Sequence, residues 1–300
     1  MSQDHDLIII GAGITGLNAA REGLQGGLSV AVVEALFFGG LVNNINVLDG
    51  EIQGSGSDLG ASLMMEVSDL GAENIGMPAS VLARDGDDLV VECEAGRHRA
   101  GAVIIASGAR LKRLGIPGEA EFEDKGVSRC ADCDGPFYTD QDVVVVGGGD
   151  SALQEALVLA EFARRVHLVH RGDKFEARQH LVDKLRGHAN ILPHWNTSVE
   201  AVLGDEAVQA VRVLGSDGAA SEIACKGFFA YIGLEPACDF VPAAVLRDAA
   251  GFLKTGPDLQ TAMAGVFAAG AVRSGYGGML THAVSEGIAA AKSVRALIRN

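Results

Sequence analysis

Two cysteines separated by two residues, in Cys130-Ala-Asp-Cys133-Asp134-Gly, are the residues of this chain best suited to chemistry. Such a pair closes a small redox-active disulfide. Only the thiolate is a competent nucleophile, so a nearby proton acceptor is useful. Asp134, next to the second cysteine, can act as one; the plainer alternative is that Asp134-Gly135-Pro136 is only a turn. The pair lies between two glycine fingerprints, Gly11-Ala-Gly13-Ile-Thr-Gly16 and Gly147-Gly-Gly149-Asp-Ser-Ala152. A cysteine pair placed between two nucleotide-binding patterns reads as an electron relay. Cys93, Cys225 and Cys238 read as small buried or half-buried apolar residues. With no second C-x-x-C and no clustered histidines, no metal site is expected.

The elements that must position these groups follow from periodicity. Asp6-Leu-Ile-Ile-Ile10 reads as a buried parallel strand running directly into the first fingerprint. An alanine-rich helix and a second strand, Ser29 to Val33, follow, and that strand ends in Glu34. In this context Gly11 permits the tight turn, Gly13 lets the backbone approach a pyrophosphate, and Gly16 lets the helix pack on the strand. The helix N-terminus stabilises the phosphate charge. Glu34, 23 residues after Gly11, is placed to accept a hydrogen bond from an adenosine ribose. The pattern repeats 136 residues later: Val143 to Val146 match Leu7 to Ile10, Gly147 matches Gly11, Gly149 matches Gly13, and Ala152 matches Gly16. The strand after this copy, Arg165 to Val169, ends at His170, the slot that Glu34 fills in the first.

At 300 residues the chain is long enough for two domains. A net charge of −15 repels phosphate backbones, which disfavours nucleic-acid binding. No apolar run approaches the roughly 18 residues of a membrane span. An acidic start that runs straight into a strand, together with an odd number of cysteines, points to the reducing cytoplasm rather than to secretion.

Further motifs narrow the reading. They are Val103-Ile-Ile-Ala-Ser-Gly108-Ala109, Gly115-Ile-Pro-Gly118, Cys130-Ala-Asp-Cys133-Asp-Gly-Pro-Phe-Tyr138, Ala230-Tyr-Ile-Gly-Leu-Glu-Pro236 and Gly265-Val-Phe-Ala-Ala-Gly270. With both fingerprints, they make the chain resemble low-molecular-weight thioredoxin reductases, the class II FAD-dependent pyridine nucleotide-disulfide oxidoreductases, nearly end to end. The resemblance implies an α/β fold of two Rossmann-like, three-layer, doubly wound nucleotide-binding domains, the second inserted in the first. It implies an FAD-binding domain at 1–113 plus 240–300, and an NAD(P)H-binding-like domain at 114–239 that carries the cysteine pair. FAD would be held by Gly11, Gly13, Gly16, Glu34, Gly39, Gly40, Gly108, Gly270, Ala271, Met279 and Leu280. A nicotinamide cofactor would meet Gly147, Gly149, Ala152 and Arg171. By the same resemblance Cys133 is the flavin-side cysteine, Cys130 attacks the substrate disulfide, and Asp134 is the acid/base. The partner would be a thioredoxin-like protein or a small dithiol or disulfide, and the chain would work as a homodimer.

Three departures from that family qualify the expectation. Asp132 puts a charge between the cysteines where relatives more often have a neutral residue, which should raise thiol pKa values. NADPH-using relatives follow the second fingerprint's strand with His-Arg-Arg and a further arginine four residues on, a clamp for the 2′-phosphate. Here the run is His170-Arg171-Gly172-Asp-Lys174-Phe-Glu176-Ala-Arg178, so one of three cations survives and an anion is added. Lys174 and Arg178 are the only neighbours placed to compensate. Impaired NADPH recognition is therefore expected. This leaves room for an NADPH-independent dithiol oxidase that uses oxygen, or a reductase fed by another donor such as ferredoxin. Finally, Gly270-Ala271 replaces the family's Gly-Asp, which loses one polar flavin anchor, and His282 either faces the flavin or simply starts the last helix.

Overall fold

The structure is a computed structural model and describes residues 4–35, 38–45, 48 and 52–299. Its chain forms two compact units, Met1–Arg110 with Glu235–Asn300, and Leu111–Leu234.

The first unit begins with β1 (His5–Ile10), the crossing helix α1 (Ile14–Gln25) and β2 (Val30–Val33). Helix α2 (Gly56–Asp69) follows, its N-terminus capped by the Ser55 hydroxyl, which accepts from the Asp58 amide at 3.0 Å. Then come β3 (Glu73–Ile75), β4 (Val81–Asp85), β5 (Asp88–Cys93) and the long β6 (Gly96–Ile105). The first half of β6 is antiparallel to β5, while its second half is parallel to β1. The unbroken apolar run Leu7–Ile10 exists because β1 is covered on both faces. Leu7 and Ile9 face the helices, whereas Ile8 and Ile10 face the β4–β5 hairpin and the segment around Val241 and Val245. Three layers result.

The chain leaves this unit through β7 (Ala109–Leu111) and builds the second on β8 (Val127–Ser128), α3 (Ala131–Asp134), β9 (Asp142–Val146), α4 (Asp150–Ala160) and β10 (Arg165–Val169). Next are α5 (Gln179–Leu185), β11 (Ile191–His194), an antiparallel sheet of β12 (Thr197–Gly204), β13 (Val208–Gly215) and β14 (Ala220–Ala224), and then β15 (Gly227–Ala230). Its parallel sheet has the order β11-β10-β9-β15-β8. Adjacent Phe228 and Phe229, both fully buried, point to opposite faces, one toward Val144 and Val146 and the other toward Val143 and Val145.

The return strand β16 (Leu234–Pro236) pairs with β7. Then β17 (Val266–Ala268) joins β6, which completes a first-unit parallel order of β3-β2-β1-β6-β17. Each unit thus runs five parallel strands in the same arrangement beside an antiparallel set. The last helix, α6 (Leu280–Arg299), lies on α1, where Gly287 allows the approach: a Cβ there would stand 2.3 Å from the Thr15 carbonyl oxygen. Among the described residues no helix is long and apolar enough to cross a membrane.

A very tight backbone approach is at Gly16, where a Cβ would fall 1.9 Å from the carbonyl oxygen of Gly11. At Gly149 nothing lies within 4 Å of that position. Gly16→Ala is expected to cost about 3 kcal/mol of stability, and Gly149→Ala to stay within about 0.5 kcal/mol. Denaturant midpoints followed by circular dichroism of the two variants check this contrast.

Candidate functional site

In the first unit β1 delivers the chain into the Gly11 turn, at φ +108° and with no room for a side chain, since a Cβ would lie 2.4 Å from the Ala106 carbonyl oxygen. Gly13 then sits at the N-cap of α1, which has no side-chain cap and no acidic residue in its first turn. This end of the helix keeps its partial positive charge unopposed. Gly39 and Gly40, both at positive φ, bring a second stretch of backbone alongside: the Gly39 amide donates to the Ala12 carbonyl at 2.7 Å. Glu34 leaves the end of β2, and its carboxylate accepts from the amides of Ala12 (2.9 Å) and Ala35 (2.8 Å). Gly108, at φ +71°, has open space where a Cβ would point.

The C-terminal part of this unit adds Gly270, at φ +76° against Thr15, with half-buried Ala271 next to it. A carboxylate that the sequence did not single out organises this corner. Glu286 of α6 accepts from the Gly270 amide at 2.8 Å and is held by both arms of the Arg273 guanidinium. Only the pairing of one arginine with one acid 13 residues on hinted at it. Met279 is exposed and Leu280 begins α6. The His282 ring, in the first turn, lies against Gly277 and edge-on to Tyr276.

In the second unit Gly147, at φ +146°, repeats the crossing: a Cβ would be 2.4 Å from the Tyr231 carbonyl oxygen and 2.7 Å from the Ala152 methyl, which is fully buried beneath it. Gly149 caps α4 and is open. The segment after β10 folds back onto this loop. The buried His170 ring rests on Gly148, where a Cβ would come within 2.3 Å of it, and its Nε2 meets the Lys174 carbonyl at 2.9 Å. The amides of Glu176 and Ala177 both donate to the Gly148 carbonyl. Arg171 is exposed. Arg178 is committed to Asp150, donating from its backbone amide (2.8 Å) and its Nε (2.5 Å), which lowers the pKa of that acid.

The cysteine pair sits where β8 ends. Cys130 and Cys133 form a disulfide around the four-residue turn α3, with Cys130 half-buried at its N-cap and Cys133 exposed. The Cys133 amide donates to the Cys130 sulfur at 3.1 Å. The Cys130 amide is taken by the Ser128 hydroxyl, and the guanidinium of Arg129 by both oxygens of Glu123. That pairing holds the Glu123 carboxyl below the usual carboxylate range. Asp134 lines a cavity of about 890 Å³ together with Lys125, Lys226, Tyr138 and the largely exposed Phe137. Burial, and then the charge of Asp134, push the Tyr138 phenol up to about 12, so it stays neutral at neutral pH.

The whole chain matches known proteins. A family profile described as pyridine nucleotide-disulphide oxidoreductase covers residues 5–287. The chain belongs to that family. The thioredoxin reductase of Treponema pallidum is 34% identical over 303 residues, covering 99% of this chain and 98% of that protein. That of Mycolicibacterium smegmatis is 36% identical, covering 89% and 88%. Crystal structures of Lactococcus lactis thioredoxin reductase (TM-score 0.93, 32% identity, 99% of each chain) and of the T. acidophilum enzyme (0.91, 28%, 100% of each chain) share its fold. This pyridine nucleotide-disulphide oxidoreductase is a thioredoxin reductase-like flavoenzyme, and its first unit fits FAD: the glycine cradle that a Cβ would fill, the uncapped end of α1 and the acid at the end of β2 are all in place.

The three remaining cysteines are buried and not disulfide-bonded. Burial, and then Asp142, push the Cys225 thiol up to about 12, and burial raises Cys238. A thiol raised this far stays neutral and slow to alkylate at pH 8. Iodoacetamide at that pH is therefore expected to label no cysteine of the oxidised protein and two after reduction, as counted by intact mass.

Proposed function

We propose that the protein passes two electrons between FAD, held by the first unit, and the Cys130–Cys133 disulfide, and from there to a thioredoxin-like protein or small disulfide, as a cytoplasmic homodimer. The Cys133 amide on the Cys130 sulfur carries this reading. A sulfur at the N-cap of a turn, receiving an N–H, is stabilised as thiolate, which suits Cys130 to attack the substrate disulfide. The attack breaks the substrate S–S bond and forms a mixed disulfide at Cys130. Cys133 then displaces the second substrate thiol and re-forms the internal disulfide. Asp134, the residue after Cys133, takes and returns the proton that each sulfur loses or gains. FAD supplies, when bound, the two-electron store that re-reduces the pair. Gly11, Gly13, Gly16, Glu34, Gly39, Gly40 and Gly108 would line its site, with Gly270, Ala271, Met279 and Leu280 on the other side of the chain.

Recognition of NADPH is, in this reading, impaired. Two of three clamp cations are Gly172 and Glu176, and Arg178 does not replace them because Asp150 already holds it. Arg171 remains of the three, with its side chain exposed, and with Gly147, Gly149 and Ala152 it would meet a nicotinamide cofactor. A dithiol-driven oxidase, or a reductase with a different donor, fits the same loss.

Anaerobic titration of the flavoprotein separates these. Micromolar NADPH is expected to leave the flavin oxidised, and Glu176→Arg to tighten NADPH binding about tenfold over NADH, on the order of one charge-assisted phosphate contact. Full bleaching of the wild type by micromolar NADPH would sink the impaired-site reading. Bleaching by a dithiol alone, with reoxidation in air, would place the protein among oxidases. Cys130→Ser is expected to abolish turnover of any disulfide substrate.

A further inference from the structure

Behind the redox turn lies a carboxylate that the chemistry above does not use. Glu155, midway along α4, is half-buried, and one oxygen, Oε2, accepts from both the Ala131 amide (3.1 Å) and the Tyr231 hydroxyl (3.2 Å). Ala131 is the first residue between the two cysteines and has no solvent exposure. It packs with Leu153, Ala156, Leu159 and Phe229, an apolar setting in which a carboxylate is costly to keep. Burial, with a smaller push from Asp132, raises the Glu155 pKa, and burial beside this acid raises that of Tyr231. A neutral amide oxygen would satisfy the Ala131 amide equally well, so an ionisable side chain at this place offers more than an acceptor.

The amides around the turn have separate acceptors, the Asp134 amide closing it on the Cys130 carbonyl at 3.1 Å. Cys130 donates to Ser128, Ala131 donates to Glu155, and Cys133 donates to the Cys130 sulfur. The charged groups around the pair are Asp132 and Asp134 within the turn, Arg129 just before it and Glu155 from α4, while Tyr138 and Tyr231 are kept neutral. The guanidinium of Arg129 is already bound by Glu123, and Lys125 and Lys226 line the cavity beside Asp134. We propose that Glu155 is a positioning residue that sets the redox poise of the Cys130–Cys133 pair: it fixes the Ala131 amide so that the Cys133 amide stays aimed at the Cys130 sulfur, and its negative charge opposes a thiolate there. This rests on the reading of that pair as the redox centre.

The balance is explicit. Two glutathione thiols reduce the disulfide, giving two protein thiols and oxidised glutathione, with two electrons and two protons transferred. Above its pKa the Cys130 thiol then releases a proton to solvent, which pulls the equilibrium further toward the reduced pair. The Glu155 charge works against that last step. It keeps the pair a stronger electron donor, as suits a centre that must hand electrons on to a second disulfide.

Glu155→Gln keeps the acceptor and removes the charge; Tyr231→Phe removes one donor and keeps the acid. Two readouts on the full-length flavoprotein test the role: the pH profile of Cys130 alkylation in the reduced protein, and the fraction of the pair reduced in glutathione buffers, counted by mass after alkylation. Glu155→Gln is expected to lower the Cys130 pKa by about one unit and, above that pKa, to shift the equilibrium toward the reduced pair on the order of tenfold. Tyr231→Phe, by favouring the protonated acid, should shift the profile in the same direction by less. Profiles and equilibria of both variants that coincide with the wild type would overturn the role of Glu155 alone. A wild-type pair that never equilibrates with glutathione would instead overturn the redox reading beneath it.

Discussion

Two places where backbone crosses backbone with no room for a Cβ fix the rest of this molecule. In the first unit the carbonyl of Ala106 presses on Gly11, and that of Gly11 on Gly16; in the second the carbonyl of Tyr231 presses on Gly147. Each crossing ends a central parallel strand, turns the chain at positive φ and starts a helix whose N-terminus lies beside the strand ends. The second crossing tolerates Ala152 in the place of a third glycine because Gly147 makes up the space above its methyl. Tyr231 has a further part here. Its carbonyl closes the crossing, and its hydroxyl holds Glu155 behind the cysteine turn. The nucleotide-type loop and the redox turn therefore share one packed residue.

Three helix or turn N-termini in the chain meet different fates, and the difference is electrostatic. The end of α1 has no side-chain cap, nothing nearer than 3.8 Å to a Cβ at Gly13 and no acid in its first turn, which suits a phosphate. The end of α4 carries Asp150, neutralised by Arg178, and lies under a segment folded back through His170, Glu176 and Ala177. At α3 the acceptor is a sulfur. The same local geometry thus leaves the first end uncapped, turns the second onto its own chain and sets a sulfur at the third, decided by which side chain meets the amides.

Two half-buried carboxylates follow from this arrangement. Glu286 ties the Gly270 amide and Arg273 to the last helix, so the corner that lacks the family's aspartate at Ala271 is still a charged, closed structure. Glu155 does the same for Ala131. In both places a helix carboxylate meets a backbone amide of a loop with chemical work to do, and a buried amide left without a partner would be costly.

By itself the sequence determined the strands β1, β2, β9 and β10, both fingerprints, the position of Glu34 and the cysteine pair, because each is written in local spacing: apolar runs four or five long, glycines at fixed offsets, cysteines three apart. The presence of Gly172 and Glu176 after the second fingerprint's strand was legible for the same reason. Whether Arg178 compensates was not, because that depends on Asp150, 28 residues away, reaching it first. Nor were the resting place of the His170 ring, the Arg273–Glu286 pair or the carboxylate behind the cysteines. Glu155 reads in sequence as one more polar residue on an amphipathic helix. Only packing α4 under α3 turns it toward Ala131 and Tyr231, since burial and hydrogen-bond partners are properties of neighbours in space rather than along the chain.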